Sequence, residues 1–112
     1  MARLPQVTDA DFATRVEGAE GLVMVDFTAA WCGPCRILAP ILEGLAADFA
    51  PELSVVALDV DENPATAARF GVRSMPTLLF FRNGTVVDRS VGAVPRAMLQ
   101  PRVEALLAPS AV

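Results

Sequence analysis

Leu22-Val23-Met24-Val25-Asp26-Phe27 is a nearly continuous apolar run, and Trp31-Cys32-Gly33-Pro34-Cys35 follows three residues later. The run reads as a central strand covered on both faces. Pro34 suits the first turn of a helix, where its missing N–H costs nothing. Ile37, Leu38, Ile41, Leu42, Leu45 and Phe49 then form an apolar stripe at helical spacing across residues 34–49. Pro40 lies inside that helix and is expected to kink it, because it removes one backbone donor and crowds the preceding turn. The two cysteines thus fall where a strand hands over to a helix. Free N–H groups and the helix dipole favour an anion at Cys32, and the thiolate is the reactive form of cysteine. Two intervening residues bring the second sulfur round one helical turn, within bonding reach of the first. Gly33 and Pro34 make that turn tight and reduce its freedom. Cys32 is expected to be the exposed attacker, and Cys35, one turn inside, the covered resolving thiol.

Outward from this stretch the chain alternates. Residues 53–60 read as a second buried strand. Residues 78–82 and 85–91 flank Asn83-Gly84, a strong hairpin signal between apolar runs. A short helix is expected over 11–17, with Thr8 or Asp9 as its cap. Another is expected over 63–70, started by Asn63-Pro64 and stopped by Gly71. Leu99, Val103, Leu106 and Leu107 share a face of a last helix, which begins either at Pro95, with Pro101 interior, or at Pro101 itself. A first strand near residues 4–7 is the weakest element. This order predicts an α/β domain, one mixed sheet with helices on both faces.

Composition narrows the chemistry. The 112 residues are one domain's worth, and 54% hydrophobic content is ample for a core. A net charge of −4 gives no electrostatic reason to expect nucleic acid. No apolar run is long enough to span a membrane. Residues 1–7 carry one arginine and no apolar core of leader length, so a cytoplasmic location is expected. The chain has no His, Lys or Tyr, and its nine basic residues are all Arg. There is then no Ser–His or Cys–His pair, no imidazole ligand, no Schiff base and no phosphate-cradling lysine. Cys32 and Cys35 close too small a loop to be much of a structural staple. A zinc site needs four ligands, which two cysteines without histidine supply only if two chains share the metal.

Asp26 interrupts the apolar strand. If both faces are covered, it is desolvated, its pKa is raised, and it can exchange a proton with Cys35 directly or through water. If the strand lies at an edge, Asp26 simply faces solvent. Periodicity does not choose between the two. Ser74-Met75-Pro76-Thr77 precedes a strand, and its proline reads on its own as an ordinary turn residue.

With these residues assembled, the chain resembles the thioredoxin family from about residue 8 to about residue 107. Beside the Trp-Cys-Gly-Pro-Cys pentapeptide, the resemblance rests on Val25-Asp26-Phe27, Ala39-Pro40, Asp61-Glu62-Asn63-Pro64, Pro76-Thr77, Asn83-Gly84 and Val91-Gly92-Ala93. It implies a thioredoxin fold with a central mixed five-stranded sheet, the last two strands antiparallel to the central ones. It implies a cis Met75-Pro76 bond beside the disulfide. Trp31, Gly33, Pro34, Met75, Pro76, Val91, Gly92 and Ala93 would form a groove for an extended target segment, held partly by the Met75 backbone. The expected function is protein-disulfide reduction by a redox-active Cys32–Cys35 disulfide with no bound cofactor or metal. Disulfide-containing target proteins and an NADPH-dependent thioredoxin reductase are the expected partners, and a monomer the expected state.

The chain departs from the family pattern in several places. Relatives often carry a lysine at the position matching Ala57, near the buried aspartate; its loss should raise the Asp26 pKa further. Arg36 keeps a positive charge where lysine is frequent. Met75 replaces the usual β-branched residue, adapting to varied targets but open to oxidation. Ser74 stands where glycine is common, and Pro101 is unusual. Two other functions compete: an oxidant or isomerase, in which histidine often takes the place of Pro34, and a non-catalytic subunit that uses the groove to bind a partner.

Overall fold

The computed structural model describes residues 3–109. The ends of the expected domain over residues 1–112, namely 1–2 and 110–112, lie outside the described residues. A short π-helical turn at Ala13–Glu17 precedes β1 (Leu22–Thr28), α1 (Gly33–Phe49), β2 (Leu53–Asp59) and α2 (Pro64–Arg69). Then come β3 (Thr77–Arg82), β4 (Thr85–Val91) and α3 (Arg96–Leu107). The sheet order is β2-β1-β3-β4, with β1 and β2 parallel and β1–β3 and β3–β4 antiparallel.

Two expectations about the sheet are corrected. It has four strands among the described residues, not five. The segment expected as a first strand makes a single bridge, Gln6 to Ala57, with Val7 N–H donating to the Ala57 carbonyl and Ala57 N–H to the Pro5 carbonyl. Pro5 has no N–H to extend that ladder. The last two strands also do not both oppose β1. Only β3 does; β4 pairs antiparallel with β3 and so runs in the direction of β1. A tight hairpin through Asn83 (φ 52°) and Gly84 (φ 78°) forces this reversal, both residues taking the left-handed region that such two-residue turns require.

Strand alternation divides the core into two layers. Val23, Val25 and Phe27 of β1 pack with Phe12, Val16, Val56, Leu79 and Phe81 on the face covered by the π-helical turn and α2. Leu22 and Met24 pack with Leu38, Leu42, Leu45, Phe80, Leu99 and Val103 on the face covered by α1 and α3. The sheet is therefore mixed, with helices on both faces. The second layer carries the site, because it fixes the N-terminal end of α1 above β1.

Local signals explain most boundaries. α1 continues through Pro40, and α3 starts after Pro95 and holds Pro101 in its interior. Gly71 (φ 66°) follows α2 as its stop. Asp9 does not cap the first helical segment as expected. It caps α2 across the chain: its carboxylate accepts from the Thr66 N–H at 2.8 Å, the Thr66 hydroxyl at 2.6 Å and the Ala65 N–H at 3.2 Å. These bonds hold its carboxyl below the ordinary range. Thr8, the other expected cap, takes the local role: its hydroxyl accepts from the Asp11 N–H at 3.3 Å, and the Asp11 carboxylate accepts from the Thr8 N–H at 2.6 Å. Ala50-Pro51 is a cis bond that the sequence gives no sign of.

Candidate active site

Cys32 is the N-cap of α1, with extended backbone (φ −88°, ψ 109°), and Pro34 occupies the first turn. Its sulfur accepts from the Cys35 backbone N–H at 3.2 Å, one of the donors that a helix N-terminus leaves unpaired. A thiolate formed at Cys32 would keep that donor and lie in the positive end of the helix dipole. Cys32 and Cys35 are joined as a disulfide, with Cα atoms 5.3 Å apart.

The expected contrast in exposure is not present in this disulfide form. Cys32 and Cys35 are each 3% exposed. Each sulfur shields the other, and Ala29, Val60 and Met75 close around the pair. What distinguishes the two is their place on the helix: Cys32 caps it, and Cys35 lies inside its first turn.

Met75-Pro76 is cis, and the Met75 carbonyl oxygen lies 3.6 Å from the Cys32 sulfur. The Met75 N–H has no backbone partner among the described residues. Thr77 fixes the turn by donating its hydroxyl to the Ser74 carbonyl at 2.6 Å. Gly92, with φ 96°, donates its N–H to the Pro76 carbonyl at 2.8 Å and so binds the end of β4 to the cis-proline loop. Trp31 and Val91 are exposed, at 66% and 56%. Gly33, Pro34 and Ala93 are exposed as well, whereas Pro76 is buried. Trp31 is steered by its indole N–H, which donates to Asp61 Oδ2 at 2.8 Å.

Asp26 does not face solvent. β1 is central, and Asp26 is 3% exposed between its register partners Ala57 and Leu78. Its Oδ1 has no hydrogen-bond partner among the described residues. Burial alone pushes its pKa from an ordinary 3.8 to about 7. Ala57, where a lysine would sit in many relatives, lies directly beside it. Asp26 lines a cleft of about 180 Å³ with Arg3, Gln6, Thr28, Ala39 and Glu43. Arg3, Gln6, Thr28 and Ala39 are shared with a second cleft of about 500 Å³ that reaches Cys35. The two clefts are neighbours with four lining residues in common, one holding the carboxyl and the other reaching Cys35.

The structure brings Cys32, Cys35 and Met75 together and buries Asp26, as the resemblance led us to expect of their neighbourhood. Sequence reasoning missed Asp61 as the residue that orients Trp31, although Asp61-Glu62-Asn63-Pro64 was part of the resemblance. The signal was there in Asp59, whose Oδ1 accepts from the Asp61 and Glu62 N–H groups and shapes that turn. It also missed Ala29 and Val60, whose role is packing, and Arg3 and Glu43 at the Asp26 cleft; nothing local marks these four.

Among the described residues, no cluster of three or more His, Cys, Asp or Glu could hold a metal ion, and no helix is long and apolar enough to cross a membrane. The chain's own disulfide is the redox group.

Comparison with known proteins agrees with this geometry. The family model described as Thioredoxin matches residues 3–105. Thioredoxins of Staphylococcus aureus strains MW2 and COL are each 52% identical over 94 residues, covering 84% of this chain and 88% of theirs. Family membership implies disulfide-containing targets and a thioredoxin reductase, and the Cys32–Cys35 pair fits dithiol–disulfide exchange. The cleft, the helix-capping cysteine and the match along the chain lead to one assignment: this chain belongs to the thioredoxin family of thiol–disulfide oxidoreductases.

Proposed function

We propose that this chain is a protein-disulfide reductase of the cytoplasm, working as a monomer and a single domain over residues 1–112. The observation that carries the reading is the Cys35 N–H directed at the Cys32 sulfur at the N-terminus of α1. Cys32 is the nucleophile. Its thiolate attacks one sulfur of a target disulfide, a mixed disulfide forms, and the other target sulfur leaves as a thiolate. Cys35 loses its proton to Asp26, by way of water in the two neighbouring clefts, and attacks Cys32. The second target thiolate leaves, and the Cys32–Cys35 disulfide closes. Two electrons pass to the target, and an NADPH-dependent thioredoxin reductase returns them.

Gly33 and Pro34 tune the couple. Their pairing resembles the reducing members of the family, and a dithiol persists in a reducing compartment, which supports the cytoplasmic location. Trp31, Met75, Pro76, Val91, Gly92 and Ala93 line the groove for an extended target segment. The Met75 main chain is the hydrogen-bonding edge, giving affinity with little side-chain selectivity.

The pH dependence of turnover tests the reading. Asp26 accepts a proton only when ionised, so the resolving step should speed up as pH rises through about 7. With a protein disulfide as substrate, Asp26→Asn should flatten this rise and slow turnover by about 10²-fold at neutral pH, the lower end of what a positioned base contributes. A pH–rate profile unchanged by Asp26→Asn would remove Asp26 from the mechanism. Absence of reductase activity in the wild-type chain would overturn the function itself.

A further inference from the structure

We propose that Met75 is a modification site for peroxides, at which oxidation of the thioether to a sulfoxide turns down the docking of protein targets. The inference rests on the groove assigned above. Three methionines are described, and their surroundings differ. Met24 is 0% exposed in the core and Met98 is 62% exposed on α3. Met75 is half-buried and packs against Ala29, Cys32 and Cys35. Its backbone oxygen is 3.6 Å from the Cys32 sulfur. A change at this side chain is therefore a change at the reacting atoms, whereas a change at Met98 is not.

The chemistry is a two-electron oxygen transfer. Hydrogen peroxide gives one oxygen to the thioether sulfur: the O–O bond breaks, an S–O bond forms and water leaves. Sulfur is oxidised and the peroxide reduced. The product carries a strong hydrogen-bond acceptor. In the disulfide form, Ala29, Cys32, Cys35 and Val60 offer it no side-chain donor. A buried polar group without a partner is unfavourable, so the sulfoxide oxygen turns toward water, on the side where the groove assigned above would take an extended target. A target that uses the groove then meets a polar group in its path. A small disulfide that needs only the sulfurs does not.

The test begins with the disulfide form, which has no thiolate to be over-oxidised. It is treated with graded hydrogen peroxide, the peroxide is removed, and each methionine peptide is weighed by mass spectrometry. Reduction rates are then read for a protein disulfide and for a small aromatic disulfide, each variant against its own untreated sample. Met98 and Met75 should gain oxygen while Met24 stays protected. The protein-disulfide rate should fall about five- to tenfold in step with conversion of Met75, the cost expected of one misplaced polar group. The small-disulfide rate should hold. Met98→Leu should show the same fall as wild type, and Met75→Leu should show none. Conversion of Met98 with Met75 untouched would overturn the proposal. So would full conversion of Met75 without loss, or an equal loss in Met75→Leu. An untreated protein that reduces no protein disulfide would refute the underlying function instead.

Discussion

Cys35→Ser should accumulate a covalent, reductant-sensitive complex with a protein-disulfide substrate, and Cys32→Ser should form none. Both variants should lose turnover down to the uncatalysed background. The asymmetry follows from the helix. Cys32 receives the Cys35 N–H at 3.2 Å and sits at the positive end of α1, so its thiolate is the stabilised one. Cys35 lies within the first turn of α1, in bonding reach of the Cys32 sulfur. Without it the mixed disulfide has no intramolecular route to resolution and persists. Neither substitution should unfold the chain. The disulfide closes a very small loop, and the two core layers are built without it. Non-reducing electrophoresis with mass spectrometry of the adduct reads the outcome. No adduct with Cys35→Ser, or equal adducts with both variants, would contradict the assigned roles.

Asp26→Asn should stabilise the disulfide form at pH 8 and leave it nearly unchanged at pH 3. A carboxyl held near 7 in the fold and near 3.9 in the unfolded chain favours the unfolded state by about 4 kcal/mol once the pH exceeds 7. The sign follows from proton uptake. Below the unfolded value both states hold the proton, and Asp26 adds no penalty. Between about 4 and 7 the folded chain binds more protons than the unfolded one, so wild-type stability falls as pH rises. Above 7 the loss is complete. Asparagine is neutral throughout and escapes it, so its advantage should grow across that window to a few kcal/mol, with about 4 as the ceiling. The amide keeps the unpartnered position of Oδ1, which holds the gain below the ceiling. Urea denaturation at the two pH values measures this. An equal effect at both, or a net loss at pH 8, would show that Asp26 is not desolvated as its surroundings imply. A buried acid that weakens the fold and faces a cleft next to the one that reaches Cys35 fits a functional reason for its presence.

Most of this architecture was legible in local chemistry. The β1 run, the α1 stripe and the Asn83-Gly84 turn each carry a period or a backbone requirement that one stretch of sequence displays. The start of α3 was not legible, because Pro95 and Pro101 are both acceptable first-turn residues. Leu99 decides it: fully buried against α1 and the sheet, it draws the helix back to Arg96. The missing fifth strand has a similar cause. Residues 5–7 show strand-like character, but pairing depends on how far they can lie along β2, and Pro5 limits it. Asp26 was ambiguous for the opposite reason. Its burial is set by β2 and β3 on either side, which periodicity within β1 does not reveal. Asp9 is the plainest case, a capping residue recognised by type whose helix lies more than fifty residues away.

The reduction potential of the Cys32–Cys35 couple tests the central claim most directly. Trp31 adjoins Cys32, is the only tryptophan, and is held by Asp61, so its fluorescence should report the state of the pair in graded redox buffers. A reductase requires a potential at or below roughly −240 mV, within or under the glutathione range of a reducing cytosol. A value near roughly −180 mV or above would contradict the account and make the chain an oxidant or isomerase.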